Sequence, residues 1–408
     1  MKTVFDDLDK YAQSNAIIDQ NGNHFSYSEL LHLSEEISQS LDSQSIIILI
    51  SDYSLESIAC YIGCIRSNIV PILLGNDIDE ENLKFYIDTF RVNYIFRHKN
   101  YAFKNKTGKE GLIFGNYRID GTWHERVSLD SDLALLMTTS GSTGSPKLVR
   151  ISHENLISNT KSIAEYQDIT KADKPITTLP MNYTFGLSII NTHLFSGSAI
   201  VLNNHSVLEK PFWTSFEENK PTTISGVPYT LNMLSRLKFF SRDLSFLRKI
   251  TQAGGKLSKD LVLFFAKSCE DKGIDFFVMY GQTEATARMS YMKNKECIEK
   301  PDSAGKAIPG GRFWVENDEG VLINDAYQVG NLFYQGKNVY LGYAESHNDL
   351  SKENVNNYIL NTGDLAFIDD EGFVFLEGRK SRFLKLFGNR VSLDDIEDYF
   401  LEQTPNNS

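Results

Sequence analysis

The sequence lacks the features of a disulfide-stabilised, metal-binding or membrane-spanning protein. Its four cysteines, in 408 residues, form no C-x-x-C pair and do not lie beside histidines at zinc-ligand spacing. The longest apolar runs, such as residues 46–50, are far shorter than the ~20 residues that cross a bilayer, and the first residues are acidic where a secretion signal is apolar. We therefore expect a cytoplasmic protein without a membrane span. We also predict that the cysteines are buried free thiols: Cys60, Cys64, Cys269 and Cys297.

Basic residues are also scarce relative to acidic ones. The chain carries 53 acidic and 41 basic residues, a formal charge of -12, which repels the phosphates of nucleic acids. We therefore expect no nucleic-acid partner. With 41% hydrophobic and 23% charged residues the composition is that of a globular protein. The length exceeds the ~250–300 residues that one core usually serves, so more than one domain or subdomain is expected.

Strand and helix patterns alternate through the first part of the chain. Residues 46–50 and 69–74 are typical of buried strands, with a helical pattern at 55–67 between them, and the alternation recurs over residues 133–202. Such alternation predicts parallel sheets covered by helices on both faces. After residue 280 short strands are separated by turns, at 317–320 and 369–372, which predicts a small antiparallel barrel or sheet.

A loop rich in small and hydroxyl side chains follows the apolar strand at residues 133–137. It reads TTSGSTGSPK over residues 138–147. Small residues let successive backbone N–H groups converge on an anion, and Lys147 adds a point charge, so the loop is suited to phosphate. The alternative is a flexible Ser/Thr/Gly linker, and the spacing is not that of a Walker loop. The candidate phosphate-binding residues are Thr139, Ser140, Gly141, Ser142, Thr143 and Gly144.

This loop resembles the signature loop of the adenylate-forming superfamily, which comprises AMP-forming acyl-CoA synthetases, nonribosomal peptide adenylation domains and firefly-type luciferases. Further stretches similar to the family's occur in its order: FSYSEL at 25–30, YGQTE at 280–284, TGD at 362–364 and GRK at 378–380. The resemblance implies an α/β fold with two α/β subdomains of mainly parallel sheets, at about 1–285, and a small β-barrel subdomain at about 286–379. It also implies that residues 380–408 are the remnant of a mobile C-terminal lid domain.

The nucleotide site follows from the same motifs. Glu284 lies just after the predicted strand 276–279, where open α/β sheets bind ligands, and a carboxylate beside phosphates calls for a cation such as Mg²⁺. The resemblance implies that Glu284 and Thr139 bind magnesium and that Thr283 contacts the α-phosphate. It further implies nucleotide contacts from residues in four stretches of the chain: Tyr280, Gly281 and Gln282; Gly254 and Gly255 at the adenine; Asp364 and Arg379 at the ribose; and Arg390 near the phosphate.

The acid pocket is expected to lie near residues 179–186. The resemblance places Tyr183, Phe185 and Gly186, together with Gly226 and Val227, at the substrate carboxylate, although Tyr183 and Phe185 could equally be ordinary core aromatics. Amino-acid-activating relatives have an aspartate after the phenylalanine, and this chain has Gly186 there. A buried ammonium without a carboxylate is costly, so we expect a fatty, aryl or other unaminated acid.

The implied reaction is attack of a carboxylate on ATP, with Mg²⁺, giving acyl-AMP and pyrophosphate. The acyl group would then pass to coenzyme A or to the phosphopantetheine arm of an acyl carrier protein. A non-catalytic nucleotide- or acyl-binding relic of the same fold is the alternative. No lysine follows Lys385, whereas the family's lid carries one near its end. We therefore expect slow adenylation by this chain alone. Two explanations of the missing lid remain: a partner supplies a separate lid domain, or the chain has been shortened.

Overall fold

The computed structural model describes residues 2–101, 109–138, 147–379, 383–386 and 389–392. For residues 109–110, 383–386 and 389–392 it describes the backbone only. Short 3₁₀ turns lie at Leu8–Tyr11, Phe239–Ser241, Thr283–Ala285 and His347–Asp349. The α-helices are α1 (Tyr27–Gln39), α2 (Leu55–Arg66), α3 (Glu80–Thr89), α4 (His153–Tyr166), α5 (Thr184–Phe195), α6 (Lys210–Asn219), α7 (Pro228–Arg236), α8 (Lys259–Lys272) and α9 (Asn294–Glu299).

The β-strands follow the same chain order. They are β1 (Asn15–Ile18), β2 (His24–Ser26), β3 (Ile46–Ser51), β4 (Val70–Gly75), β5 (Tyr94–His98), β6 (Lys109–Phe114), β7 (Tyr117–Gly121), β8 (Leu133–Thr138), β9 (Leu148–Ser152), β10 (Pro175–Ile176), β11 (Ile200–Val201), β12 (Thr223–Gly226), β13 (Lys249–Gln252), β14 (Asp275–Tyr280), β15 (Ser290–Lys293), β16 (Lys306–Ala307), β17 (Arg312–Glu316), β18 (Leu322–Ile323), β19 (Gly330–Gln335), β20 (Gly342–Ala344), β21 (Ile359–Ile368), β22 (Val374–Arg379), β23 (Phe383–Leu386) and β24 (Asn389–Ser392).

Two large sheets are parallel at their centres. In the described residues the first has the order β16-β15-β14-β13-β12-β10-β11-β1-β2, parallel from β14 to β1. The second has the order β20-β9-β8-β4-β3-β5-β7-β6, parallel from β8 to β5. Antiparallel strands complete both edges of each sheet. The α/β fold with mainly parallel sheets is thus confirmed.

The sheets are built from the apolar runs that the sequence marks as buried. All six residues of β3 are buried, and they pair in register with β4, whose partners begin at Ile46 and Val70. Ser26 caps the N-terminus of α1: its side chain accepts from the Glu29 backbone while the Glu29 carboxylate accepts from the Ser26 backbone, a capping box. The four cysteines are free and buried, as predicted.

Strand length is where the sequence pattern is wrong. Within the alternating region 133–202 the apolar pattern predicts a strand at residues 176–179, but β10 covers only Pro175–Ile176. Beyond it, one backbone hydrogen bond from the Thr177 N–H to the Val201 carbonyl remains, at 2.9 Å. The Thr177 hydroxyl then donates to the Asn203 carbonyl and the Thr178 hydroxyl contacts the Ser225 carbonyl, so side chains make the further contacts. The chain therefore leaves the sheet just before the predicted acid pocket.

The third sheet is antiparallel, with the order β18-β17-β19-β21-β22. We expected a small β-barrel here, and closure is not confirmed: in the described residues, β18 and β22 end the sheet order without pairing to each other. A strand of two residues, β18, offers too few backbone groups to close a barrel. Strands β23 and β24 form a separate antiparallel pair within residues 380–408, the stretch that the resemblance assigns to the lid.

Loops at the carboxyl ends of β12, β13 and β14 lie next to one another, because these strands are parallel neighbours in register. Open α/β sheets place ligands at this edge. Within the part of the chain that the structure describes, no helix combines the length and the apolar character needed to cross a membrane.

Candidate active site

The turn after β14 carries the YGQTE motif at the edge of the sheet. It leads from Tyr280 into the 3₁₀ turn Thr283–Ala285. A β-carbon at Gly281 would come within 1.9 Å of the Ala287 carbonyl oxygen, so only glycine fits where the chain folds back on itself. Gly281 therefore permits the tight turn that places Gln282 and Glu284 on its two sides.

One polar cluster joins this turn to β21 and β22. The Asp364 carboxylate accepts hydrogen bonds from the Tyr280 hydroxyl and, at 3.1 Å, from the Gln282 amide. The Arg379 Nε lies 3.4 Å from the other Asp364 oxygen, across the β21–β22 pair. Burial first, and then the Asp364 charge, raise the pKa of Tyr280, so its hydroxyl stays protonated and donates. The structure thus brings together these predicted residues, far apart in sequence.

A second cluster surrounds Glu284. The Tyr343 hydroxyl donates to Glu284 Oε1 at 2.6 Å, and Lys147 Nζ lies 3.6 Å from the centre of the Tyr343 ring. Tyr343 lies on β20, which pairs with β9, the strand that begins just after Lys147. Burial, followed by the Glu284 charge, raises the pKa of Tyr343, so the hydroxyl is a donor at neutral pH. A carboxylate held this way keeps lone pairs available for a cation such as Mg²⁺.

The Gly254–Gly255 turn after β13 meets the predicted acid pocket. Gly254 has φ +81, and a β-carbon there would lie 2.3 Å from the Tyr183 hydroxyl oxygen. The glycine therefore permits both the left-handed turn and the close approach of Tyr183. The Gln252 amide donates to the Gly255 carbonyl at 2.9 Å and fixes the turn.

Aromatic and aliphatic side chains line the region between this turn and α5. Tyr183 and Phe185 lie with ring centres 6.4 Å apart. They belong to a hydrophobic cluster that lies between α5 and the strands β13 and β14. An apolar wall of this kind suits an aromatic or aliphatic acyl group. Its members are Leu179, Phe185, Ile189, Ala253, Phe277 and Met279, with Tyr166, Tyr183, Val227 and Tyr291 at its margin.

Two glycines of the predicted pocket have packing reasons of their own. A β-carbon at Gly186 would lie 2.1 Å from the Pro180 carbonyl oxygen, and one at Gly226 would lie 2.7 Å from a Leu231 methyl. We interpreted Gly186 as a missing carboxylate for a substrate ammonium. The geometry adds that no side chain fits at this position, so glycine is required whatever the substrate.

Some predicted site residues cannot be placed. The phosphate-loop residues lie outside the described residues, and Arg390 lies on β24, where the side chain is not described. Thr283 begins the 3₁₀ turn beside Glu284 and is partly exposed. The phosphate-loop residues concerned are Thr139, Ser140, Gly141, Ser142, Thr143 and Gly144.

Sequence reasoning missed two residues, Tyr343 and Arg288. Tyr343 is 59 positions from Glu284, and no spacing rule connects them. Arg288 is buried, with its guanidinium carbon 4.0 Å from the centre of the Phe185 ring. A lone cation within the otherwise uncharged residues 285–289 was the signal that could have identified it.

Comparison with known proteins is consistent with this geometry. The family model described as "AMP-binding enzyme" matches residues 4–344. A 2-succinylbenzoate–CoA ligase of Bacillus pumilus (strain SAFR-032) is 26% identical over 346 residues, which are 83% of this chain and 68% of that protein. An indoleacetate–CoA ligase of Aromatoleum aromaticum is 28% identical over 267 residues, which are 65% of this chain and 51% of that protein.

A solved structure shares the fold. O-succinylbenzoate coenzyme A synthetase (MenE) from Bacillus subtilis, in complex with ATP and magnesium ion, superposes with a TM-score of 0.80 at 24% identity. The superposition covers 98% of this chain and 84% of that one. The matched region thus spans 51% of the indoleacetate–CoA ligase and 84% of the solved structure.

Proposed function

The chain belongs to the AMP-binding enzyme family, and we propose that it uses ATP to activate an unaminated carboxylic acid of the aryl class. The products would be the acyl adenylate and pyrophosphate, and the acyl group would then pass to the thiol of coenzyme A. The observation that carries the proposal is the pair of polar clusters, around Asp364 and Glu284, on the two sides of one turn at the carboxyl end of β14.

The Asp364 cluster fits a ribose. A carboxylate can accept from both hydroxyls of a diol, and Tyr280, Gln282 and Arg379 already hold Asp364 in place. Asp364 is 6% exposed, so little water competes for its carboxylate. These residues would orient the nucleoside, and the Gly254–Gly255 turn would accept a flat ring against bare backbone.

The Glu284 cluster fits a magnesium–polyphosphate. Glu284 would bind the ion and Lys147, now held over the Tyr343 ring, would turn to a phosphate oxygen. Bound magnesium neutralises charge on the phosphates and so favours attack at the α-phosphorus. The residues of this chain contribute position and preorganised charge.

The first half-reaction needs no general base. A carboxylate oxygen attacks the α-phosphorus, the bond from that phosphorus to the bridging oxygen breaks, and pyrophosphate leaves with its electron pair. In the second half-reaction the thiol sulfur attacks the acyl carbon, AMP leaves, and the thiol proton passes to solvent. At neutral pH the acid is already ionised, so positioning and charge carry the first step.

The acid specificity rests on the pocket wall and on the relatives. The pocket is lined by Tyr183, Phe185 and Val227, and the guanidinium of Arg288 lies against it. A buried cation disfavours a substrate ammonium, which supports an unaminated acid. The relatives named for 2-succinylbenzoate and indoleacetate both act, by their names, on acids that carry an aromatic ring.

The test is acid-dependent exchange of labelled pyrophosphate into ATP across a panel of aryl, fatty and amino acids. We expect exchange above the no-acid background with aryl acids and little with amino acids. A protein that only binds nucleotide or acyl groups shows no exchange with any acid, and that result would reject the proposal. Addition of coenzyme A should then release AMP and form the thioester.

A further inference from the structure

Arg288 differs from two other buried cations of the described residues, Lys249 and Arg97, in having no carboxylate partner. Lys249 pairs with Asp173 at 2.8 Å, and Arg97 pairs with Asp120 at 2.8 Å. Arg150 donates to backbone carbonyls, including that of Leu341 at 2.9 Å. Carboxylates therefore compensate the charges of Lys249 and Arg97, whereas Arg150 is held by neutral carbonyls.

The guanidinium of Arg288 has only weak or neutral partners. It donates to the Ala287 carbonyl at 3.1 Å, to the Ser188 hydroxyl at 3.4 Å and to the Met279 sulfur at 3.4 Å. No carboxylate of the described residues lies within ion-pair distance of it. Arg288 is 3% exposed, and burial lowers its pKa. A buried cation that has no anion and is held mostly by contacts of 3.4 Å is destabilising, which points to a ligand that supplies the charge.

The backbone of Arg288 is held firmly while its side chain is not. The side-chain amides of Asn159 and Asn338 donate to the Arg288 carbonyl, at 3.0 and 2.9 Å. The long contacts of the guanidinium are each worth little, because hydrogen bonds weaken as distance grows beyond about 3.2 Å. The arginine is therefore fixed in place but able to exchange its partners.

The surroundings of Arg288 are polar on one side and aromatic on the other. The Phe185 ring covers one face of the guanidinium. A cavity of ≈ 10 Å³ adjoins it, and two lining atoms, His193 Nε2 and Thr223 Oγ1, have no hydrogen-bond partner in the described protein. Such a volume holds about one water, so a larger anion would enter by replacing the long contacts to Ser188 and Met279.

We propose that Arg288 binds a second carboxylate on the acyl part of the substrate, so that the enzyme selects a dicarboxylic aryl acid. The proposal rests on the acid-activating function above and names the substrate class of that site. A carboxylate matches the planar guanidinium with two parallel hydrogen bonds, and it would compensate the buried charge. Phe185 would then pack against both the guanidinium and the substrate ring.

The test compares two acids that differ only in this group. They are 2-succinylbenzoate and 3-benzoylpropionate, the same keto acid without the ring carboxyl. We expect the wild-type kcat/KM for pyrophosphate exchange to favour the dicarboxylate by about 10²-fold, since sites built to pair a polar group strongly reject analogues without it. In Arg288→Met that ratio should fall to near one. Arg288→Lys should keep part of it, because the charge remains while the two-point contact is lost.

A matched control is Arg126→Met, which removes an exposed arginine that donates to the Ser43 carbonyl. It should keep the wild-type preference. Calorimetric titration of both acids, in the presence of magnesium and α,β-methylene-ATP, gives a readout that does not need turnover. The binding preference should fall in Arg288→Met in parallel with the exchange preference. Thermal stabilisation by the nucleotide analogue should persist and would show that the variant is folded.

The outcomes separate the two claims. Equal use and binding of the two acids by the wild type, or an unchanged preference in Arg288→Met and Arg288→Lys, overturns the role of Arg288 and leaves acid activation standing. If none of the acids supports exchange, the proposed function is rejected. In that case the calorimetric preference for the dicarboxylate still decides whether Arg288 binds a second carboxylate.

Discussion

Replacing Tyr343 by phenylalanine removes the oxygen atom that connects Tyr343 to Glu284. The hydroxyl donates to Glu284 Oε1 at 2.6 Å, whereas the ring lies under Lys147 at 3.6 Å and is kept by the substitution. Tyr343→Phe therefore tests the hydrogen bond alone. If Glu284 binds magnesium, Tyr343 is a positioning residue that acts through it.

The size of the effect follows from the type of contact. A hydrogen bond to a charged group is worth about 1.5–3 kcal/mol, and loss of a group that orients a metal ligand typically weakens metal binding by about 10–100-fold. Tyr343 is partly exposed, so we expect the lower end, about 10-fold. The Mg²⁺ concentration for half-maximal exchange should rise by that factor, with little change in rate at saturating Mg²⁺.

The chain supplies a matched control at another tyrosine. The Tyr358 hydroxyl donates to Glu154 Oε2, also at 2.6 Å, and neither residue is among the predicted site residues. Tyr358→Phe makes the same chemical change and should leave the Mg²⁺ dependence unaltered. An unaltered Mg²⁺ dependence in Tyr343→Phe, or equal shifts in the two variants, would refute the assignment of Glu284 and Tyr343.

Three further predictions concern other parts of the site and fold. Glu284→Ala should slow adenylation by about 10²–10³-fold in a protein that still folds, measured as exchange rate beside a thermal melt. Asp364→Ala should remove the acceptor of the Tyr280 hydroxyl, whereas the Gln282 amide keeps the Thr362 carbonyl at 2.9 Å; the unfolding free energy should fall by about 1–3 kcal/mol, and ATP binding should weaken in calorimetry. Burial, with the N-terminal charge, lowers the pKa of His153 to about 4, so the folded state holds it neutral. The contribution of His153 to the free energy of unfolding is full above about pH 6.5 and declines as the pH falls towards 4, by about 2 kcal/mol at about pH 5. In urea titrations His153→Gln should lack this pH dependence.

The elements that carry the site are predictable because their signals are local. The apolar residues 46–50 form a fully buried strand, and the YGQTE motif follows β14 as its position after an apolar run indicated. Parallel neighbours then bring the turns after β12, β13 and β14 to one edge by geometry alone. The residues of the Asp364 cluster were predicted from the family resemblance, because spacing in the sequence does not show that such distant residues meet.

Contacts between distant residues and exact strand lengths were not accessible in this way. Nothing near Tyr343 in the sequence indicates that its hydroxyl reaches Glu284 or that its ring meets Lys147. Gly186 shows that one residue can have two interpretations: the absence of an aspartate bears on the substrate, whereas the clash with the Pro180 carbonyl requires glycine for packing. Arg288 gains meaning only once the structure shows its burial and its lack of a carboxylate among the described residues.

The most direct measurement of the central claim is the fate of oxygen from the acid. The wild-type protein is incubated with ATP, Mg²⁺, coenzyme A and an aryl acid labelled with ¹⁸O in its reactive carboxylate. The masses of the AMP and pyrophosphate formed are then measured by mass spectrometry. Attack on the α-phosphorus followed by transfer to the thiol predicts one labelled oxygen in AMP and none in pyrophosphate. Formation of ADP with label in phosphate, or of AMP without label, would contradict the account.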